Sequence, residues 1–176
     1  EQVPALLQQL KNMDVHFRGF HIFSGSQNLY AEQLIEAQNA SFDLAARLLN
    51  DTPLEIETLN IGGGFGIPYF PGEKPLEIEP VMANLAKRVQ DWRQQHNNCE
   101  VILELGRYLI GEAGVYVCKV IDRKISRGKT FLVTDGGLHH HLAASGNFGQ
   151  VIRKNYPVIN PNKVYAGNRE TVSIVG

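Results

Sequence analysis

Cysteine is scarce: Cys99 and Cys118 are the only two in 176 residues. Two thiols cannot build a disulfide framework, and the expected setting is a reducing one, the cytoplasm. No apolar run approaches the ~20 residues a membrane-spanning helix needs, so membrane residence is not expected. The chain opens without a charged-then-apolar signal segment, so nothing supports secretion. An excess of either charge is also missing, with Lys+Arg 17 against Asp+Glu 18 and a formal net charge of −1. Nucleic-acid binders draw non-specific affinity from basic stripes on phosphate. The densest basic stretch here, Arg123, Lys124, Arg127 and Lys129, reads instead as a solvated hairpin. Neither end tapers into polar residues as natural termini do. Val3 to Asn12 opens inside a helix pattern and Thr171 to Gly176 closes on a strand pattern, so a fragment of a longer chain is expected.

The remainder is ordinary for a globular chain, 43% hydrophobic and 20% charged. Two textures follow one another. In the first, strand patterns at Val15–Phe23, Ile56–Ile61 and Glu100–Leu105 alternate with helix patterns at Tyr30–Leu49 and Glu79–Gln95. Leu34, Ala37, Ala45 and Leu48 are apolar positions of the first helix, and Val81, Leu85, Val89 and Trp92 form a stripe on the second. This βαβαβ order predicts a parallel sheet with helical crossovers. From about Ala113 strands run without intervening helices: Gly114–Ile125, Thr130–Thr134, Val151–Ile159 and Thr171–Val175, with a turn signal at Ser126-Arg127-Gly128. That texture predicts an antiparallel domain. The expected division is therefore residues 1–112 and 113–176.

Ligands of parallel α/β sheets sit at the carboxyl ends of the strands, and three such ends carry unusual chemistry. The first is Gly19-Phe20-His21-Ile22-Phe23-Ser24-Gly25-Ser26-Gln27. Alternation sets Phe20 and Ile22 on one face and His21 and Phe23 on the other. The run into small hydroxyl residues offers donors to an anion; an ordinary turn after a core strand reads equally well. The second is Asn60-Ile61-Gly62-Gly63-Gly64-Phe65-Gly66. Glycines are entropically costly, and what they permit is close backbone approach and N–H groups that cradle a phosphate. A dinucleotide fingerprint competes poorly, because no helix pattern starts until about Glu79. A plain glycine-rich turn is the remaining alternative. The third is Val101-Ile102-Leu103-Glu104-Leu105-Gly106-Arg107-Tyr108, where alternation puts Glu104 with Ile102, opposite Val101, Leu103 and Leu105. An acid in an apolar strand needs a positive partner. Arg107 in a structural ion pair is one candidate, and a protonated ring nitrogen of a cofactor is the other. An aromatic or imidazole face, an anion cradle and a carboxylate aimed at a heterocycle together fit pyridoxal phosphate.

The ordered motifs G-x-H-x-(aromatic or His)-x-G-S-Q, N-x-G-G-G-F-G and E-x-G-R-Y resemble those of the fold-type III pyridoxal-phosphate decarboxylases, which include the diaminopimelate, ornithine and arginine enzymes. The resemblance covers most of residues 13 to 140. Within the family, the stretches Gly19 to Leu29 and Asp135 to Pro157 are similar to decarboxylase-like proteins of biosynthetic clusters, including those associated with exosortase systems. The resemblance implies the last strands and helices of a (β/α)8 barrel, followed by part of an antiparallel β domain. It implies decarboxylation of an amino acid such as diaminopimelate, ornithine or arginine, with pyridoxal 5′-phosphate as cofactor, in a homodimer with shared active sites. Ser26, Gly62, Gly63 and Gly64 would hold the phosphate. Glu104 would pair with the pyridine nitrogen, as the catalytic group, and Arg107 would reach the phosphate region or the substrate carboxylate.

Two departures stand out. Phe23 takes the place of the histidine that family members stack on the cofactor ring; it can stack but cannot titrate. Leu105 replaces a proline. His21 matches a second, less central histidine, and with Arg107 and His139 is assigned to substrate contact. The resemblance also implies a covalent-binding lysine upstream of Glu1 and a partner-subunit cysteine past Gly176; no lysine here, and neither Cys99 nor Cys118, matches those contexts. His139-His140-His141 invites a metal reading, but three adjacent histidines cannot face one ion from a strand. Substrate contact or solvated surface fits that stretch better. Two other readings stand beside the enzyme: a non-catalytic homologue that binds partners, and a nucleotide-binding α/β module.

Overall fold

The computed structural model describes residues 2–50, 52, 54–137, 139–140, 156–165, 167 and 169–176. The chain divides into two compact units, one of Glu1–Pro68 and Glu73–Ala113, the other of Tyr69–Gly72 and Gly114–Gly176.

The first unit is built on three short strands, β1 (Gly19–His21), β2 (Thr58–Asn60) and β3 (Glu100–Ile102). They pair in parallel in the order β1-β2-β3, with Phe20 opposite Leu59 and Leu59 opposite Val101. Helix α1 (Val3–Leu10) precedes them, α2 (Ala31–Asn50) and α3 (Ile78–Gln95) are the crossovers, and α4 (Gly106–Ile110) follows β3. The parallel βαβαβ order expected from the pattern is present. The strands are shorter than their apolar runs. At the start of β1, the Arg18 carbonyl accepts from both Glu57 N–H (2.8 Å) and Thr58 N–H (2.9 Å), so regular pairing begins only at Gly19.

Helix α2 begins where Asn28 Oδ1 accepts the Tyr30 N–H at 2.9 Å, with Glu32 in the first turn and Arg47 in the last, matching the helix dipole. It buries Leu34, Phe42 and Ala45 against Val81, Leu85 and Trp92 of α3 and the back of the sheet. Of the apolar positions read from the sequence, Ala37, Leu48 and Val89 are half-buried at the margins of these stripes. Phe42 and Trp92 meet edge-on with centroids 5.7 Å apart, and Arg88 pairs with Asp43 while lying 5.3 Å from the Phe42 ring centroid. Leu59, at the middle of the central strand, has no exposed surface. Phe20, Ile22, Val101 and Leu103 pack into the same core. The other sheet face therefore carries His21, Phe23, Asn60 and Glu104, of which His21, Phe23 and Glu104 are exposed.

In the second unit β4 (Val120–Ser126) and β5 (Lys129–Thr134) form a hairpin, and β6 (Val172–Val175) adds to β5. The connecting residues Arg127 (φ 49°) and Gly128 (φ 73°) make the two-residue turn whose twist suits a hairpin. The expectation of an antiparallel sheet is corrected here. β4 and β5 are antiparallel, but β5 and β6 are parallel, so the sheet is mixed. A two-residue turn forces antiparallel pairing, whereas the long connection between Thr134 and Val172 lets the chain return to the starting end. The strand expected at Val151–Ile159 lies partly outside the described residues, and Tyr156–Ile159 is not strand. Gly114–Lys119, also expected as strand, is irregular apart from its last contacts with Asp135. Tyr69 and Phe70 belong to this unit through Tyr156, whose ring stacks on Phe70 at 5.7 Å and 11°. Among the described residues no helix is long and apolar enough to cross a membrane.

Candidate active site at the carboxyl ends of the strands

Three segments leave the sheet at the same edge and interlock. After β1 the chain stays on its neighbour for one more residue, Ile22 N–H donating to Asn60 O at 2.8 Å. It then turns through Gly25 (φ 137°) and Gln27 (φ 56°) and bridges the glycine loop, with Asn28 N–H on Gly64 O and Gly66 N–H on Asn28 O, both at 2.8 Å. After β3, Ile61 N–H donates to Ile102 O at 3.1 Å and Glu104 N–H to Gly62 O at 2.8 Å. The glycine loop is thus the middle member, held from both sides.

The four glycines answer to this crowding. A Cβ on Gly63 would lie 1.6 Å from the carbonyl oxygen of Glu104, and one on Gly64 would lie 2.8 Å from the carbonyl oxygen of Gly25. Gly62 (φ 70°) and Gly64 (φ 85°) also adopt a backbone that side chains disfavour. The close approach expected for a phosphate is made first by neighbouring backbone. The two uses are compatible. Gly62 N–H is committed to Asn60 Oδ1 at 2.8 Å, whereas the N–H groups of Gly63 and Gly64 find no acceptor among the described residues. Two adjacent free donors, Gly64 at positive φ and Gly63 following positive-φ Gly62, are the kind of backbone arrangement that suits an anion. Ser26, exposed, follows Gly25 beside this loop.

Glu104 stands just beyond the end of β3. It is not buried: 51% of its side chain is exposed. Asn60 Nδ2 donates to its Oε1 at 2.9 Å, and His21 Nε2 lies 3.6 Å from the same oxygen. Oε2 has no partner among the described residues. The ion pair with Arg107 considered from the sequence is not formed. Arg107, on the first turn of α4, donates from Nη1 to Gln27 Oε1 at 3.2 Å. Gln27 also donates from Nε2 to Ile67 O at 2.5 Å and accepts from Ile67 N–H at 3.3 Å, so one carboxamide ties three segments together. Phe23 projects with 70% of its surface exposed.

The structure therefore brings His21, Phe23, Ser26, Gly62, Gly63, Gly64, Glu104 and Arg107 to one edge of one sheet. His139 belongs to the second unit, where its ring lies 4.0 Å from that of His140; His141 lies outside the described residues. Among the described residues no group of three His, Cys, Asp or Glu side chains could hold a metal ion. Asn60 and Gln27, which have no role in the motifs as read from the sequence, are the two side chains that tie these segments together. Asn60 was findable: it shares the alternation face of His21 and Glu104, a polar residue between buried Leu59 and Ile61. Gln27 was not, because its partners are 40 and 80 residues away.

A parallel α/β sheet with free N–H groups and a carboxylate at its carboxyl edge belongs to the α/β proteins that hold ligands at the strand ends. Residues 1–111 match the pyridoxal-binding domain of the pyridoxal-dependent decarboxylases. The chain belongs to that family. It is 40% identical over 164 residues to L-glutamyl-[BtrI acyl-carrier protein] decarboxylase of Niallia circulans, covering 91% of this chain and 38% of the relative. It is 31% identical over 157 residues to diaminopimelate decarboxylase of Methanothermobacter thermautotrophicus, covering 86% and 36%. Among solved structures it is similar to diaminopimelate decarboxylase of M. jannaschii in complex with L-lysine, with 27% identity and a TM-score of 0.56 over 76% of this chain and 31% of that one. The chain spans somewhat over a third of the length of these curated relatives. It is α/β, part of a (β/α)8 barrel followed by part of a β domain.

The family's cofactor is pyridoxal phosphate, and the residues present fit it. Two free N–H groups suit a phosphate, the open Oε2 of Glu104 suits a protonated ring nitrogen, and an exposed phenyl suits a flat ring.

Proposed function

We propose that the protein is a pyridoxal-phosphate-dependent carboxy-lyase acting on an amino acid, and that this chain supplies its cofactor grip. The observation that carries the reading is the convergence of the Gly63 and Gly64 N–H groups and the Glu104 carboxylate at one sheet edge. Residues 1–112 are read as the barrel portion that carries the cofactor, and 113–176 as part of a β-rich domain.

Bound pyridoxal phosphate supplies an electron sink for the pair released as carbon dioxide leaves, and the protein sets geometry and charge around it. The Gly63 and Gly64 N–H groups, with the Ser26 hydroxyl, would hold the phosphate, and Gly62, its own N–H taken by Asn60, would shape the loop. Glu104 would face the ring nitrogen and supply the charge opposite to its proton. Phe23 would supply an aromatic surface for the cofactor ring and, having no ionisable group, would do no acid–base work. Arg107, steadied by Gln27, binds the phosphate region or the substrate carboxylate. His21 is read as a substrate contact. The substrate class is diaminopimelate-, ornithine- or arginine-like. The relative named for a glutamyl group on an acyl-carrier protein extends that class to carrier-bound amino acids. A cytoplasmic homodimer with shared active sites completes the reading.

The nucleotide-module alternative has no support from the backbone, since no helix begins between Gly66 and Ile78. The non-catalytic alternative is separated by experiment. The intact protein is given pyridoxal phosphate, and absorbance of the bound cofactor is read alongside carbon dioxide release from diaminopimelate, ornithine, arginine and carrier-linked glutamate. Cofactor absorbance with release from one of these is expected, and Glu104→Ala is expected to lower turnover at least ~100-fold, ~2.7 kcal/mol of barrier. A protein that takes up no cofactor, or a Glu104→Ala variant with parental turnover, overturns the assignment.

A further inference from the structure

We infer that Asn60 is a positioning residue that locks Glu104 to the phosphate loop, so that one carboxamide sets both halves of the cofactor grip; this rests on the reading that Glu104 faces the cofactor nitrogen. The amide orientation is not free. Oδ1 accepts the Gly62 N–H at 2.8 Å, and only then does Nδ2 point to Glu104 Oε1 at 2.9 Å. A flipped amide would set its NH2 against the Gly62 donor and its oxygen against a carboxylate. Asn60 itself has little freedom, being paired with His21 on one side and Ile102 on the other and accepting Ile22 N–H at 2.8 Å.

Glu104 needs such a hold. Its side chain is long, 51% exposed and rich in rotamers, so nothing intrinsic holds it in one pose. Its backbone is pinned by the 2.8 Å bond to Gly62 O and by the close approach of Gly63. His21, at 3.6 Å, is beyond hydrogen-bond distance and cannot fix it. Asn60 is thus the one described side chain that hydrogen-bonds the carboxylate. It takes Oε1 and leaves Oε2 for a ligand. A rigid tie between cradle and carboxylate matters because small misplacements of a catalytic group are costly.

The test compares Asn60→Asp, Asn60→Ser and Glu104→Ala in the intact protein. Asn60→Asp keeps an acceptor for Gly62 but replaces the donor to Glu104 with a like charge. Asn60→Ser keeps an acceptor and is too short to reach Glu104, and it serves if Asn60→Asp does not fold. Cofactor affinity is expected close to parental, because the loop is retained. Turnover is expected to fall ~10- to 100-fold, carried in kcat rather than KM. The absorption spectrum of the bound cofactor is expected to move toward that of Glu104→Ala. In crystals without cofactor, the Glu104 carboxylate is expected to leave its position. Parental kcat, spectrum and Glu104 position in the Asn60 variants overturn the inference while a damaged Glu104→Ala leaves the reading of Glu104 standing. A Glu104→Ala variant with parental spectrum and turnover removes that reading, and the inference with it.

Discussion

Gly63 and the carbonyl of Glu104 occupy space that no side chain can share, with 1.6 Å between that oxygen and the place of a Gly63 Cβ. The contact is backbone on backbone, so no rotamer change relieves it. Gly63→Ala is expected to push the ends of β2 and β3 apart, destabilise the fold by ~1–3 kcal/mol as overpacking does, and weaken cofactor binding. A denaturant midpoint that falls with unchanged slope, beside a raised dissociation constant for pyridoxal phosphate, checks it. Parental values for both would remove the close approach from the explanation.

Gln27 sits in the left-handed region, φ 56°, where a non-glycine residue carries a backbone cost. Its side chain offsets that cost by binding Ile67 twice and Arg107 once. Gln27→Ala keeps the strain and loses the bonds. A stability loss of ~1–3 kcal/mol and a raised KM are expected, since Arg107 loses its brace. Chemical denaturation and steady-state kinetics read the two effects.

At the opposite end of the strands, Arg18 Nε bonds Glu57 Oε2 at 3.0 Å, and His16 lies 2.7 Å from Oε1. The Arg18 hydrogen bond, with His16 adding to it, holds the Glu57 carboxyl below its usual range despite some desolvation. A lowered acid stabilises the fold above its unfolded-state value and loses that contribution as pH falls through the folded value. The effect is small, because the groups are solvent-screened. Carboxyl NMR titration is expected to show Glu57 shifted down, and Arg18→Ala is expected to return it upward. No change in the Arg18 variant would contradict the cause.

The two cysteines should react unequally. Cys99 is buried beside Trp92, and burial pushes its thiol up. Cys118 is exposed. Since the thiolate is the reactive form, a thiol reagent is expected to label Cys118 in the folded protein and Cys99 only after denaturation. Mass spectrometry of the labelled peptides distinguishes them, and equal labelling of both would contradict the packing of Cys99.

Much of the first unit was legible because its signals are local. The α2 and α3 stripes, the alternation of strand and helix, and the face of each strand that carries His21 or Glu104 follow from periodicities of 3.6 and 2. What the reading missed were pairings. Glu104 takes Asn60, 44 residues away, and not Arg107, three residues away. Sequence proximity misled there because the chain turns into α4 at Gly106 and carries Arg107 toward Gln27. The parallel placement of β6 was hidden for a related reason: a long connection leaves direction open, whereas Arg127-Gly128 settles it.

Alone, the residue order determined which segments become helix or strand, which face of each is apolar, and where glycine and carboxylate stand along the chain. These are consequences of steric preference and period, felt within a few residues. Tertiary structure alone decided that Asn60 is the neighbour of Glu104, that Gln27 braces Arg107, and that the glycines yield to neighbouring carbonyls while two N–H groups stay free. Those outcomes depend on register between strands some forty residues apart, and register is established only when the hydrogen bonds of the sheet form.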